Sequence, residues 1–305
     1  MLKHVLLLAA SLLAPAAALA QSKLAQAQGS NQGAKPAGQY AEVGGLKLYY
    51  QQHGALQSKE APSKDAKTRP LLVLHGGFMT IEAMGPILPA LAGSRPVIAV
   101  DLEGHGRTRD LDRPLSLDQM ATDVTALVKT LGLEKIDVLG FSMGGGVALR
   151  IAAAEPQLVA KLVVISSHHK IEAYYPSIRA MWPGMTVQGF TGSPMEKAYL
   201  ETAPDPKHWP VFVEKMKAMM LGSTDWPDAK VQAIKAPTLL VAGDADLFRP
   251  ESMVDLFRLL GGARPDGGMA GVPASQLAIL PGATHFNILY RTDLLLPIVV
   301  PFLDS

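Results

Sequence analysis

Six short runs of continuous apolar residues, separated by segments of helical periodicity, constrain this 305-residue chain more than anything else in it. They are Leu71-Leu72-Val73-Leu74, Val97 to Val100, Ile136 to Leu139, Leu162 to Ile165, Thr238 to Val241 and Leu277 to Leu280. A strand with one wet face alternates apolar and polar residues. A run that is apolar throughout is buried on both faces, as in a parallel sheet covered by helices. The segments between the runs fit that reading. Leu117, Met120, Val124, Leu127, Val128 and Leu131 share one helical face, which Gly132 ends. Val147 to Ala154 is also helical and stops before Pro156. Alternating strands and helices predict an α/β fold, a mostly parallel sheet with helices on both faces. Ahead of the first run, Glu42 to His53 carries a Gly44-Gly45 turn between apolar stretches, the signal of a hairpin.

Three stretches break the rhythm. Residues 55–69 are polar and charged and read as a solvated loop. Residues 261–275 are rich in Gly and Pro and read as a surface excursion. Residues 169–235 hold Trp182, Trp209 and Trp226 with several Met and Pro, and contain no buried run. They are expected to form a helical or irregular insertion over the carboxyl edge of the sheet. Part of this Met and Trp content packs the insertion onto the core. Flexible thioethers and flat aromatic rings also suit an apolar substrate pocket.

The N-terminus has the order of a secretory signal: Lys3 and His4, an apolar stretch from Val5 to Leu13, Pro15, then Ala18-Leu19-Ala20 before Gln21. The apolar stretch is too short to span a hydrocarbon core of about 30 Å. Cleavage after Ala20 would remove Lys3 and no acid, leaving a formally neutral chain. The protein is therefore expected to be exported, periplasmic or secreted, with no stable membrane insertion after cleavage. Residues 21–39, rich in Gln, Ala, Gly and Ser, read as a flexible leader. The chain has no Cys, which excludes disulfides, a thiol nucleophile, thiolate metal sites and an acylated Cys after the signal. Hydrophobic residues at 48% and charged residues at 18% exclude intrinsic disorder. Lys and Arg number 28 against 27 Asp and Glu, so no basic field invites nucleic acid.

The chemistry gathers where the predicted strands end. Gly140-Phe141-Ser142-Met143-Gly144 lies directly after one strand and directly before a helix. In that setting G-x-S-x-G makes a tight, strained turn that lifts the serine hydroxyl above the sheet, beside the free N–H groups of a helix start. A serine hydroxyl needs a base, and the base needs an orienting carboxylate. Asp244 and Asp246 follow the Thr238 strand, and His285 follows the Leu277 strand. One aspartate suffices for the chemistry, and the other fits the ordinary use of Asp beside Gly in a turn. His75-Gly76-Gly77-Phe78 follows the first run. There an N–H of Gly77 or Phe78 can join that of Met143 as an oxyanion hole, while His75 stabilises its loop. His105 reads as structural, and the adjacent His168 and His169 as hinge or surface residues. No metal-ligand spacing, dinucleotide fingerprint or P-loop is present, so no cofactor and no metal is expected.

The set HGGF, GFSMGG, GDAD and GATHF, with Asp101-Leu102-Glu103-Gly104-His105-Gly106-Arg107-Thr108 between the first two, resembles the α/β-hydrolase superfamily. Its esterase/haloperoxidase-like branch often reads D-x-x-G-H-G-x-S there, with Ser where this chain has Thr108. The resemblance covers about residues 40–303. It implies a hydrolase core at 40–168 and 236–305, a cap or lid at 169–235, Ser142 as nucleophile, His285 as base and Asp246, with Asp244 in reserve, as the acid. With the N-terminal signal and the apolar insertion, the expectation is an exported serine hydrolase that cleaves a small, apolar carboxylic ester through an acyl-enzyme. The same triad serves lactones, C–C bonds and perhydrolysis, and a non-catalytic ligand-binding protein on this fold is the rival from another class. Oligomeric state is not legible in the sequence.

Overall fold

The structure, a computed structural model, describes residues 38–55, 69–265 and 267–305. The expected signal at 1–20, nearly all of the leader and most of the charged loop (56–68) lie outside the described residues. β1 (Gly38–Val43) and β2 (Leu46–His53) form the predicted hairpin, turning through Gly44 and Gly45 at φ 56° and 82°. β1 starts two residues before Tyr40, because Gly38 pairs with Gln51. A Cβ on Gly38 would run into the Tyr49 ring, so this strand residue has to be glycine and carries no apolar signal.

The six apolar runs are β3 (Leu71–Leu74), β4 (Val97–Val100), β5 (Ile136–Phe141), β6 (Val159–Ile165), β7 (Thr238–Ala245) and β8 (Gln276–Thr284). One eight-stranded sheet holds all of them in the order β1-β2-β4-β3-β5-β6-β7-β8. Within this sheet the β1/β2 and β2/β4 pairs are antiparallel and the other pairs parallel. Successive residues of each strand face opposite sides, so Leu72 and Leu74 join one hydrophobic cluster and Leu71 and Val73 the other. Helices cover the two faces. α1 (Ile87–Ala92) and the C-terminal α7 (Thr292–Asp304) pack on one. α2 (Leu117–Thr130), α3 (Met143–Ala154) and α6 (Pro250–Leu259) pack on the other. α2 begins at Ser116, whose hydroxyl accepts the Gln119 N–H, and is followed by Gly132 at φ 71°. Full burial of each large aliphatic side chain contributes about 1.5–3 kcal/mol, which is what selects for the unbroken apolar runs.

Register places the chemistry. Leu74 lies beside Gly140 and Phe141 beside Ile165, which in turn pairs with Val241. The residues just past β3, β5, β6 and β7 therefore emerge along one edge. The β7/β8 ladder slips between Gly243 and Ala245, a bulge that re-aims the chain just before Asp246.

Residues 169–235 fall between β6 and β7. Their described residues are helical or irregular, with α4 (Pro194–Thr202), α5 (Trp209–Leu221) and shorter turns, plus one isolated bridge from Tyr174 to Phe248. Phe190, Trp209 and Phe212 of this segment gather round Phe78, with ring centroids 4.8, 6.2 and 5.5 Å away. Lys215 of α5 reaches the buried carboxylate of Asp110 and the Leu111 carbonyl, tying the insertion to the loop after β4. His168 and His169 occupy the hinge but not the surface. His169 Nε2 lies 2.7 Å from Asp228 across the two ends of the insertion, and His168 Nε2 lies 2.9 Å from the Ser252 carbonyl. Burial pushes the His168 imidazole down to about 4, with the adjacent His169 adding to the effect.

Candidate active site

Ser142 stands between β5 and α3 at φ 52° and ψ −118°. A serine before a helix ordinarily turns its hydroxyl back to cap the first N–H groups. Here the left-handed backbone prevents that: the side chain makes no cap bond, and Oγ lies 3.0 Å from His285 Nε2. The tight turn requires bare backbone around it. A Cβ on Gly140 would lie 2.2 Å from the Gly144 carbonyl oxygen, and one on Gly144 would lie 2.4 Å from that of Leu74.

His285 follows β8, and its Nδ1 lies 2.7 Å from Asp246 Oδ1. Since the carboxylate only accepts, Nδ1 carries the proton and Nε2 is left to receive one from Ser142. Asp246 Oδ1 also accepts the Leu247 N–H at 2.7 Å. Asp246 Oδ2 accepts the Gly243 N–H at 3.2 Å and the hydroxyl of Ser166. Burial pushes this carboxyl up, but the bonds from His285, Ser166 and Gly243 outweigh it and hold Asp246 below the usual carboxylate range. Asp244 stands apart: it is exposed and accepts the Gly282 N–H at 3.0 Å, the turn chemistry expected of one of the pair.

Gly77 packs against Met143, with a Cβ there falling 3.8 Å from the Met143 sulfur and 3.0 Å from Met216 Cε of the insertion. Met143 opens α3, so its N–H has no carbonyl one turn earlier in the helix. The N–H groups of Gly77 and Phe78 bond to no other described residue. Three donors thus lie unengaged at this edge, in the two segments that flank Ser142. The loops beneath are pinned by the remaining histidines. His75 Nδ1 lies 2.7 Å from the Gly76 carbonyl while its Nε2 accepts the Leu102 N–H, and Thr108, in the place of the usual Ser, accepts the Tyr49 N–H. His105 contacts the Glu103 carbonyl through Nδ1, and burial takes it down to about 3, which keeps it neutral.

A family model for the alpha/beta hydrolase fold matches residues 69–188, from the first apolar strand into the insertion. The chain has the α/β-hydrolase fold. Solved structures share this fold: the enol-lactonase from Burkholderia xenovorans LB400 superposes with a TM-score of 0.64 at 20% identity, over 88% of this chain and 100% of that one. Among curated relatives, the pimeloyl-[acyl-carrier protein] methyl ester esterase of Neisseria meningitidis is 27% identical over 77% of this chain and 97% of its own length. The dihydrolipoyllysine-residue acetyltransferase component of the acetoin cleaving system of Pseudomonas putida is 36% identical over 48% of this chain, which spans only 37% of that relative.

Set against this hydrolase frame, Ser166 is the residue of the site that sequence reasoning missed. It follows β6 directly, is fully buried and sits at φ 50°. Among the described residues four non-glycine residues have positive φ, and Phe78, Ser142 and Ser166 are three of them, each just past a strand of this edge. Such a conformation costs about 1–3 kcal/mol per residue and persists where the surroundings impose it. The only trace of Ser166 in the sequence is a small polar residue after an apolar run, which is too common to single out. Among the described residues no group of three or more His, Asp or Glu could hold a metal ion, and no helix is long and apolar enough to cross a membrane.

Proposed function

We propose that this protein is an exported serine hydrolase that cleaves carboxylic esters through an acyl-enzyme, with Ser142 as nucleophile, His285 as general base and Asp246 as its orienting acid. The observation that carries the reading is the continuous hydrogen-bond chain Ser142–His285–Asp246, 3.0 and 2.7 Å long at its two steps, beside unengaged backbone donors. In the first half-reaction Ser142 Oγ bonds to the ester carbonyl carbon while its proton passes to His285 Nε2. The carbonyl oxygen becomes an oxyanion, held by the N–H of Met143 and that of Gly77 or Phe78; one such donor is worth about 10²–10³ in rate. Asp246 stabilises the imidazolium. The tetrahedral adduct collapses, the C–O bond to the alcohol breaks, and His285 returns its proton to the leaving oxygen. In the second half-reaction water gives a proton to His285 and attacks the acyl carbon, releasing the acid and restoring Ser142.

The insertion at 169–235 serves as the cap in this reading. Its aromatic cluster and Met216 bound the space over Gly77 with apolar surface, which favours an apolar acyl or alcohol group. Export rests on the order of charge, apolar stretch and small residues in 1–20, and the exported protein should begin at Gln21 by mass spectrometry.

The test is hydrolysis of p-nitrophenyl esters from acetate to palmitate by the purified protein, with Ser142→Ala alongside. Activity that declines with chain length and disappears in the variant is the expected result. Ester hydrolysis undiminished in Ser142→Ala would overturn the assignment. Absence of turnover with Ser142 still labelled by a fluorophosphonate would retain the nucleophile and discard the simple-ester substrate.

A further inference from the structure

We propose that Ser166 is a positioning residue of the triad, its hydroxyl fixing the Asp246 carboxylate in the orientation that holds His285; the inference rests on the serine-hydrolase reading above. Asp246 has four donors, two on each oxygen. His285 Nδ1 and the Leu247 N–H reach Oδ1, and the Gly243 N–H and Ser166 Oγ reach Oδ2. Two of these are backbone groups of the segment that carries Asp246 itself, Gly243 in β7 and Leu247 just past it. His285 is the group being oriented. Ser166 comes from the end of the neighbouring strand β6, and so ties the carboxylate across the sheet rather than to its own segment.

The backbone at Ser166 strengthens the case. Its N–H donates to the Val241 carbonyl at 2.8 Å, so the ladder between β6 and β7 continues through a residue in the left-handed region. Glycine takes that conformation without strain, whereas serine does not. A serine held there contributes one thing that glycine cannot, a hydroxyl, and in this structure that hydroxyl is engaged with Asp246. The side chain has no exposure through which it could meet substrate.

Two variants separate orientation from packing. Ser166→Gly removes the hydroxyl and relieves the backbone, so it should fold; Ser166→Ala removes the hydroxyl and keeps the strain. Both are expected to lower kcat on p-nitrophenyl acetate about tenfold or more, with KM within about twofold, since each loses one hydrogen bond to a charged group. With one donor gone, the carboxylate is more basic and the imidazolium beside it better stabilised. Both groups then hold their protons to higher pH, and the acid limb of kcat/KM moves up by about half a unit or more. A ¹⁵N NMR titration of the His285 ring, read without substrate, should move the same way. If both variants keep the wild-type kcat and acid limb and Ser166→Gly is merely more stable, Ser166 only packs and the inference falls. An unchanged His285 titration also overturns it, whatever becomes of the hydrolase reading. That reading is judged separately by Ser142→Ala and phosphonate labelling.

Discussion

Asp137 and Asp246 lie at opposite ends of the same parallel sheet, and both carboxylates are buried. At the amino end, Asp137 of β5 meets Arg69 at 2.8 Å and Arg95 at 3.5 Å. Arg95 also pairs with Asp304, and Lys161 of β6 donates to the Phe302 carbonyl at 2.6 Å, so the close of α7 seals this edge. Charge is abundant there, but hydrogen bonds are incomplete: Asp137 Oδ2 and Arg95 Nη1 face each other outside bonding geometry. Burial outweighs the three neighbouring cations and pushes Asp137 up. At the carboxyl end, Asp246 meets no Lys or Arg among the described residues and pairs with the imidazole of His285, yet each of its oxygens accepts two bonds and it is held below the usual range. Directed donors, more than nearby positive charge, keep a buried carboxylate ionised. Strained backbone marks the carboxyl edge as well: Phe78, Ser142 and Ser166 all lie there.

The comparison is broken most sharply at the carboxyl edge. On the proposed mechanism Ser142→Ala should lower turnover by up to about 10⁶ with little change in the unfolding midpoint, because there the hydroxyl acts as the nucleophile and not in packing. Asp246→Asn should lower kcat by about 10⁴. The amide can present an N–H to His285 Nδ1, which turns the imidazole to the tautomer unable to accept the serine proton. Single-turnover acylation by p-nitrophenyl acetate reads both effects, and an acylation rate in Asp246→Asn within tenfold of wild type would assign the orienting role elsewhere.

How much of this was legible in the sequence depends on what enforces each feature. β3 and β4 have the bounds expected of them, Leu71–Leu74 and Val97–Val100, because burial on both faces leaves nothing but apolar side chains. The turn at Ser142 was legible because it needs glycines at fixed offsets, and the places of the Asp pair and His285 because each follows an apolar run. The choice between Asp244 and Asp246 was not, since it depends on the bulge at Gly243/Ala245, which leaves no residue signature. α7 was obscured by Pro297 and Pro301, which sit inside a helix whose apolar face is buried all the same. The insertion gave only its composition, because its aromatic cluster is held by contacts with Phe78 and not by any period of its own. Ser166 gave nothing, as backbone φ after a strand is set by the neighbours in the sheet.

At the amino edge, loss of stability without loss of chemistry is expected. Arg95→Met replaces a fully buried guanidinium with an apolar side chain of similar length and leaves Asp137 with Arg69 as its bonded partner. Removing one member of a buried pair costs about 3–5 kcal/mol, and the lower end is expected because Arg69 remains. Urea unfolding should show the loss, while kcat of the folded enzyme stays within about twofold of wild type. A fall in kcat comparable to the Asp246→Asn effect would mean that the two ends of the sheet are coupled.

The smallest effect is the most direct test of the contrast between the two aspartates, because it reverses sign from one to the other. Asp246 has a depressed pKa in the folded state. It therefore contributes stability above the unfolded value of about 3.9, and that contribution is lost as pH falls through the folded pKa. Asp137 has a raised one. Its favourable contribution is complete below about pH 3.9 and is lost as pH rises through the folded pKa. Acidification from pH 7 toward pH 3 should thus weaken the protein through Asp246 and strengthen it through Asp137. In urea unfolding across that range, Asp246→Asn should flatten the fall in stability on the acid side, and Asp137→Asn should steepen it. Equal slopes in the two variants would mean that Arg69 and Arg95 satisfy Asp137 as fully as directed donors satisfy Asp246, and that the missing bond at Asp137 Oδ2 carries no energetic weight.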